Sequence, residues 1–184
     1  MHKILILGPQ GSGKGTQATR LAQKLHIPAL STGNLLREEV ASGSTLGKQI
    51  ASFIDKGNLV PDEITSSVLK KRLTQDDVAR GFILDGFPRF MEQYESAKTF
   101  LEPTAVLIID VPKEESLKRI LKRAEIENRT DDTPESIERR LAWSREKTVP
   151  VIEQYTTLGL THTVNGVGEI DEVEERINQV LGIA

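Results

Sequence analysis

Ile4-Leu5-Ile6-Leu7-Gly8-Pro9-Gln10-Gly11-Ser12-Gly13-Lys14-Gly15-Thr16 joins a short apolar run to a helix-favouring stretch, Gln17 to Leu25. Strand, glycine loop and helix follow in the order a phosphate-binding site needs. Glycines let consecutive backbone N–H groups turn inward with no Cβ in the way, and the helix adds unpaired donors and the positive end of its dipole. Lys14 supplies a mobile positive charge. The spacing of Gly8, Gly13 and Lys14 fits GxxxxGK, but Gly15 follows the lysine and the hydroxyl arrives one place late, at Thr16. A glycine-rich turn that binds nothing is the competing reading. Four glycines and a lysine between Gly8 and Gly15 weigh against it, because glycine loses more backbone entropy on folding than any other residue.

Outward from this loop, apolar runs alternate with helical patterns. Ala29-Leu30-Ser31 is a short strand, and Ser31 or Thr32 can cap a helix to about Ala41, broken by Ser42-Gly43-Ser44. A helix from Leu46 to Lys56 stops at Gly57, and another opens at Pro61-Asp62-Glu63 with acids in its first turn. Phe82-Ile83-Leu84 and Ala105 to Ile109 have the continuous apolar character of parallel strands buried on both faces. Helices are expected from Met91 to Leu101 and over residues 113–125. Residues 126–133 look irregular, and Thr133 with Pro134 starts a long helix to about Tyr155. Thr161 to Val164 is the fifth strand and Glu169 to Leu181 the last helix. The alternation predicts an α/β fold, a five-stranded parallel sheet flanked by helices.

At 184 residues the chain fits one domain with small insertions, the largest between the second and third strands. Its longest apolar run is far too short to cross a bilayer, and no basic leader precedes the first strand. There are no cysteines, which excludes disulfides and thiolate metal sites and permits a reducing compartment, so cytoplasmic residence is the expectation. A net charge of −3 argues against a general nucleic-acid-binding surface while allowing a local arginine cluster. His2, His26 and His162 are scattered, so a histidine metal site is not expected.

In open α/β sheets ligands bind beyond the carboxyl ends of the strands, so the residues that follow each strand share one rim. That rule brings together the loop 8–16, Ser31-Thr32-Gly33, Asp85-Gly86-Phe87-Pro88-Arg89 and Asp110. Asp85 stands where an acid can orient Mg²⁺ together with a loop hydroxyl such as Thr16. Asp110 competes, but Val111-Pro112 beside it offers nothing for phosphate, whereas Gly86 and Arg89 do. Arg37, Arg89, Arg119, Arg123, Arg129 and Arg140 recur along the same rim, and guanidinium forks match phosphate oxygens bidentately. Arg139, Arg145, Lys118 and Lys122 read as solvated faces.

In order, GPQGSGKGTQ, STGNLLR, GNLVPDE, GFILDGFPR with Gln93 beyond it, NRTDD and ERRL resemble successive signatures of the adenylate kinases, from Lys3 to about Leu181. The resemblance implies a P-loop NTPase core over 1–184, with an NMP-binding insertion at 31–60 and a short lid at 123–133. It further implies that Gly11, Ser12, Gly13, Lys14, Gly15 and Thr16 hold the phosphates of ATP, that Arg119 and Arg123 face ATP, and that Gly168 meets its adenine. AMP would be held by Thr32, Arg37, Asn58, Leu59, Val60, Gly86, Phe87, Pro88, Arg89 and Gln93. Arg129 and Arg140 would contact the transferring group and the acceptor phosphate. Lys14, Arg89, Arg123, Arg129, Arg140 and Asp85 would be the catalytic set, with Mg²⁺ on Thr16 and Asp85, partly through water. Substrates would be ATP, AMP and ADP, the protein a monomer, its role nucleotide biosynthesis. Only five residues separate Arg123 from Arg129, which implies the short lid and no zinc. Asn128 and Asn58 replace a glycine and a lysine common at those family positions. A UMP/CMP kinase would typically carry alanine at the position of Thr32 and an Asn/Asp pattern near Gln93. A P-loop ATPase or regulatory switch would want an NKxD motif or a water-activating glutamate, and neither is in place.

Overall fold

The computed structural model describes residues 1–56, 58–127, 137–138, 141–142 and 144–183, with main chain only at 123–127, 144 and 145. Five parallel strands, β1 (His2–Leu7), β2 (Ala29–Ser31), β3 (Gly81–Asp85), β4 (Ala105–Asp110) and β5 (Thr161–Asn165), lie in the order β2-β3-β1-β4-β5. Leu5 pairs with Leu84 and Val106, so β1 is central and its loop opens midway along the carboxyl edge.

Side chains alternate across this sheet with period two. Leu5 and Leu7 join Leu30, Phe82, Leu84 and Val106 in one core, under α4 (Asp62–Leu73), α5 (Met91–Ala97) and α7 (Val149–Thr157). Ile4 and Ile6 join Ile83, Leu107 and Ile109 in the other, under α1 (Lys14–Leu25) and α8 (Ile170–Leu181). Two faces of apolar side chains therefore explain why these strands read as unbroken apolar runs. A third, smaller cluster of Leu36, Ile50 and Val60 is formed by α2 (Thr32–Ala41), α3 (Thr45–Ile54) and the chain entering α4. A fourth joins Ile120 of α6 (Lys113–Glu127) to Ile137 and Leu141.

Three element boundaries depart from the sequence reading. The first helix begins at Lys14, so Lys14, Gly15 and Thr16 form its first turn. Gly15 weakens the helical signal there, but a helix opening inside the glycine loop is what points its first amides into the site. The helix expected to run unbroken to Tyr155 is instead interrupted by a π-helical segment, Ser144–Thr148, before α7 starts with Pro150 in its first turn. Pro150 has no N–H and its ring crowds the carbonyl four residues back, so a regular α-helix cannot pass through it. The helix from Met91 ends at Ala97 rather than Leu101. Gly57, Thr133 and Pro134 lie outside the described residues. Among the described residues, no helix is long and apolar enough to cross a membrane.

Candidate functional site

A cleft of about 1090 Å³ runs along the carboxyl edge of the sheet, and the ends of β1, β2, β3 and β5 all contribute to it. Its floor is the glycine loop. Gly11 has φ 79°, and a Cβ there would overlap the carbonyl oxygen of Ser116 and lie 2.9 Å from Ile120 Cγ1, so the loop rests directly on α6. Only glycine combines that left-handed backbone with that approach. Gly13 caps α1 with no side-chain hydrogen bond, which leaves the first-turn donors without a side-chain cap from the protein. Lys14 Nζ donates to the carbonyls of Gly8 at 2.9 Å and Pro9 at 2.7 Å, so its charge is held over the loop. Arg119 reaches in from α6, its Nε donating to Glu115 at 2.6 Å and its Nη1 to the Ser12 carbonyl at 3.5 Å.

Facing this loop is a second wall built where β2 and β3 end side by side, Ser31 paired with Asp85. Thr32 Oγ1 donates to the Gly86 carbonyl at 3.0 Å, and Arg89 Nε donates to the same oxygen at 2.7 Å. Gly86 has φ 86°, and a Cβ would sit 2.8 Å from Arg89 Nη2 and 3.0 Å from Thr32 Oγ1. Arg89 is held at both of its peptide groups as well. Its N–H donates to Gln93 Oε1 at 2.8 Å and its carbonyl accepts from Thr148 Oγ1 at 2.9 Å. Arg37 donates to Asn34 Oδ1 at 2.6 Å beside Gly33, and Asn58, Leu59 and Val60 continue the wall. Phe87 and Pro88 do not line the cleft. Phe87 is fully buried in the core, 6.4 Å centroid to centroid from Phe100, and the bond between Phe87 and Pro88 is cis.

Asp85 lines the cleft and Asp110 does not. A Cβ on Gly15 would lie 3.6 Å from Asp85 Oδ2, so the carboxylate faces the first turn of α1 beside Thr16. Among the described residues no group of three or more His, Cys, Asp or Glu side chains could hold a metal. One carboxylate and one hydroxyl nevertheless suit Mg²⁺, which keeps several waters and takes further oxygens from substrate phosphates. Gly168 lines the cleft from the link between β5 and α8.

Of the expected site residues, the Arg123 side chain, Arg129, Arg140 and most of the lid span 123–133 lie outside the described residues. Lys118 and Lys122, read as a solvated face, are exposed but also line the cleft, as does Lys147. Spacing could have shown this, since Glu115, Lys118, Arg119 and Lys122 recur at the helical period on one face of α6. Among the described lining residues, seven Lys or Arg face three Asp or Glu, an excess of four positive charges within a chain of net charge −3. Thr148 and the buried Gln17 also line the cleft and were not singled out. Gln17 carried a signal, because it is a polar residue among the inward positions Ala18, Leu21 and Ala22 of α1.

Comparison with known proteins gives a consistent result. A family model described as adenylate kinase matches residues 6–160. The adenylate kinase of Stenotrophomonas maltophilia (strain K279a) is 48% identical over 180 residues, covering 95% of this chain and 96% of that protein. That of Xanthomonas campestris pv. campestris (strain 8004) is 48% identical over 185 residues, covering 98% and 99%. An adenylate kinase of Micrococcus luteus is 45% identical over 186 residues, covering 98% and 91%.

Proposed function

The chain belongs to the adenylate kinase family, and on that premise we propose a role for each wall of the cleft. The protein transfers the terminal phosphoryl group of ATP to AMP, giving two ADP. One observation supports the assignment of residues: a single cleft is lined both by the glycine loop and by Thr32, Arg37, Arg89 and Gln93, which suits two phosphate-bearing ligands at once.

In this reading Gly11 to Thr16 hold the phosphates of ATP, through loop amides and the first turn of α1. Lys14 follows the migrating charge, exchanging its bonds to the Gly8 and Pro9 carbonyls for phosphate oxygens. Arg89 and Arg37 grip the phosphate of AMP, and Thr32, Gln93 and the backbone at 58–60 and at Gly86 position the rest of that nucleotide. Arg119 and Arg123 face ATP, while Arg129 and Arg140 serve the transferring group. Mg²⁺, which Thr16 and Asp85 would hold partly through water, supplies charge neutralisation across the phosphates when bound. No general base is required, because the acceptor is a phosphate oxygen that is already anionic. Alignment and charge placement suffice, and the held backbone of Arg89 supports this reading of its guanidinium. The lid at 123–133 closes over the nucleotides and excludes water, which would otherwise take the phosphoryl group. A monomer in the cytoplasm completes the reading.

Lys14→Met and Arg89→Ala test it. Each is expected to lower turnover at least ~100-fold, since each removes a positive charge from a site that stabilises developing negative charge. Rates near wild type in both folded variants would refute these roles.

A further inference from the structure

Between β5 and α8 the chain passes Gly166, Val167, Gly168 and Glu169, and every peptide N–H of this link except that of Gly168 is hydrogen-bonded. The Gly166 N–H donates to the Asp110 carbonyl at 2.8 Å, and the Val167 N–H to Asn165 Oδ1 at 2.9 Å. The Glu169 N–H donates to Glu172 Oε2 at 3.0 Å. Arg176 Nη1 donates to the carbonyls of Asn165 at 2.9 Å and Val167 at 2.6 Å. Gln17 Nε2 reaches across from α1 to the Ile170 carbonyl at 2.9 Å. Among the described residues, the N–H and C=O of Gly168 make no hydrogen bond.

Gly168 lines the cleft and carries one unbonded donor and one unbonded acceptor. A purine edge also offers one of each, but in opposite senses: adenine donates from its 6-amino group and accepts at a ring nitrogen, whereas guanine accepts at its 6-oxo group and donates from N1–H. Which purine fits therefore depends on how the Gly168 peptide is turned, and that turn is held by its neighbours' bonds. Arg176 bonds the chain just before Gly168 and Gln17 just after it. Gln17 is 4% exposed with its Oε1 unpartnered, so this amide is buried at a cost that leucine would not incur. Behind Gly168 stand the Glu172 carboxylate, which a Cβ would overlap, and Arg176, whose Nη2 would lie 3.4 Å from it.

We propose that Gln17 and Arg176 are positioning residues for the base of the donor nucleotide, turning the Gly168 peptide so that it accepts adenine and disfavours guanine. This rests on the reading that the donor base lies against Gly168. The two residues touch neither the phosphates nor the acceptor wall in this role, so their loss acts on donor KM and base preference and leaves the acceptor alone.

The experiment measures kcat and KM with ATP and with GTP as donor, and KM for AMP, in Gln17→Leu, Arg176→Met, Gly168→Ala and Arg20→Ala. Arg20 pairs with Asp171 at 2.6 Å and with Glu174, tying the same two helices together away from the cleft, so it reports on general loosening of that packing. Gln17→Leu and Arg176→Met are expected to raise KM for ATP roughly five- to tenfold, the worth of about one hydrogen bond, and to lower the ATP-over-GTP ratio of kcat/KM by a similar factor. KM for AMP stays within about twofold and Arg20→Ala leaves the ratio unchanged. A reduced ratio in Gly168→Ala with an unchanged ratio in both Gln17→Leu and Arg176→Met overturns the proposal alone. An unchanged ratio in all three shows that the base does not lie against Gly168, and the proposal falls with that reading. An equal effect of Arg20→Ala reduces the role to helix packing and also overturns it. Arg176 lies on the surface, so Arg176→Met keeps the test decisive should Gln17→Leu fail to fold.

Discussion

Ile50→Ala tests whether 31–60 behaves as a body with a core of its own. Ile50 is fully buried on α3, between Leu36 and Val60, in a cluster separate from the two that cover the sheet. Burying each of these three side chains contributes roughly 1.5–3 kcal/mol. Truncating a buried isoleucine to alanine costs about 2–5 kcal/mol, because a cavity adds to the lost transfer energy. The cluster is small enough that this loss is a large share of what closes it, so the damage appears as local opening while the sheet stays intact. Amide exchange in α2 and α3 is expected to accelerate roughly 30-fold to several thousand-fold, one decade per 1.4 kcal/mol, with β1 and β3 unchanged. A protein whose acceptor wall is formed only part of the time binds AMP in proportion to that fraction. If the mutation brings open and closed forms near parity, KM for AMP rises between about twofold and tenfold, while KM for ATP moves less than twofold. Hydrogen exchange read by mass spectrometry, alongside steady-state kinetics varying each nucleotide in turn, measures both. Uniform acceleration through β1 and β3, or equal increases in both KM values, would refute the separate body.

Gly11→Ala forces a left-handed alanine whose Cβ overlaps the Ser116 carbonyl, whereas at Gly13 the nearest atom is Arg119 Nη1 at 3.6 Å. Gly11→Ala is therefore expected to lower the melting temperature by roughly 4–8 °C, for strain and displacement together near 2 kcal/mol, and to weaken ATP binding. Gly13→Ala pays only the backbone strain, about 1 kcal/mol or more, and should lose less than Gly11→Ala; equal losses by calorimetry would contradict this geometry. Asp85→Asn should raise the Mg²⁺ concentration for half-maximal activity at least ~10-fold, as loss of a metal-orienting carboxylate does. An unchanged Mg²⁺ curve would remove Asp85 from the metal site.

The features most legible in the sequence are those whose cause is local. Leu7 to Thr16 carries its own strand, turn and helix start within ten residues, and Asp85 to Arg89 sits at the end of an apolar strand, so the carboxyl-edge rule alone brings them to one rim. The rule also separates Asp85 from Asp110 only once the company of Gly86 and Arg89 is considered, and the cleft includes Asp85 alone. What stayed hidden depends on tertiary placement. Thr148 meets the carbonyl of Arg89 across 59 positions, and nothing near Thr148 in sequence announces it. Lys118 and Lys122 are exposed and site-lining at once, two properties that a charge pattern cannot separate. Pro150 should have stopped the long helix, and the π-helical segment ahead of it shows how the chain accommodates that proline.

The claim that two nucleotides meet in one cleft is tested most directly by following ADP formation from ATP and Mg²⁺ with AMP, CMP, UMP, GMP or water alone as acceptor. AMP is expected to give the fastest rate, with two ADP formed for each AMP consumed and water the slowest acceptor. Loss of ATP to water alone as fast as to AMP, or a preference for CMP over AMP, would contradict it.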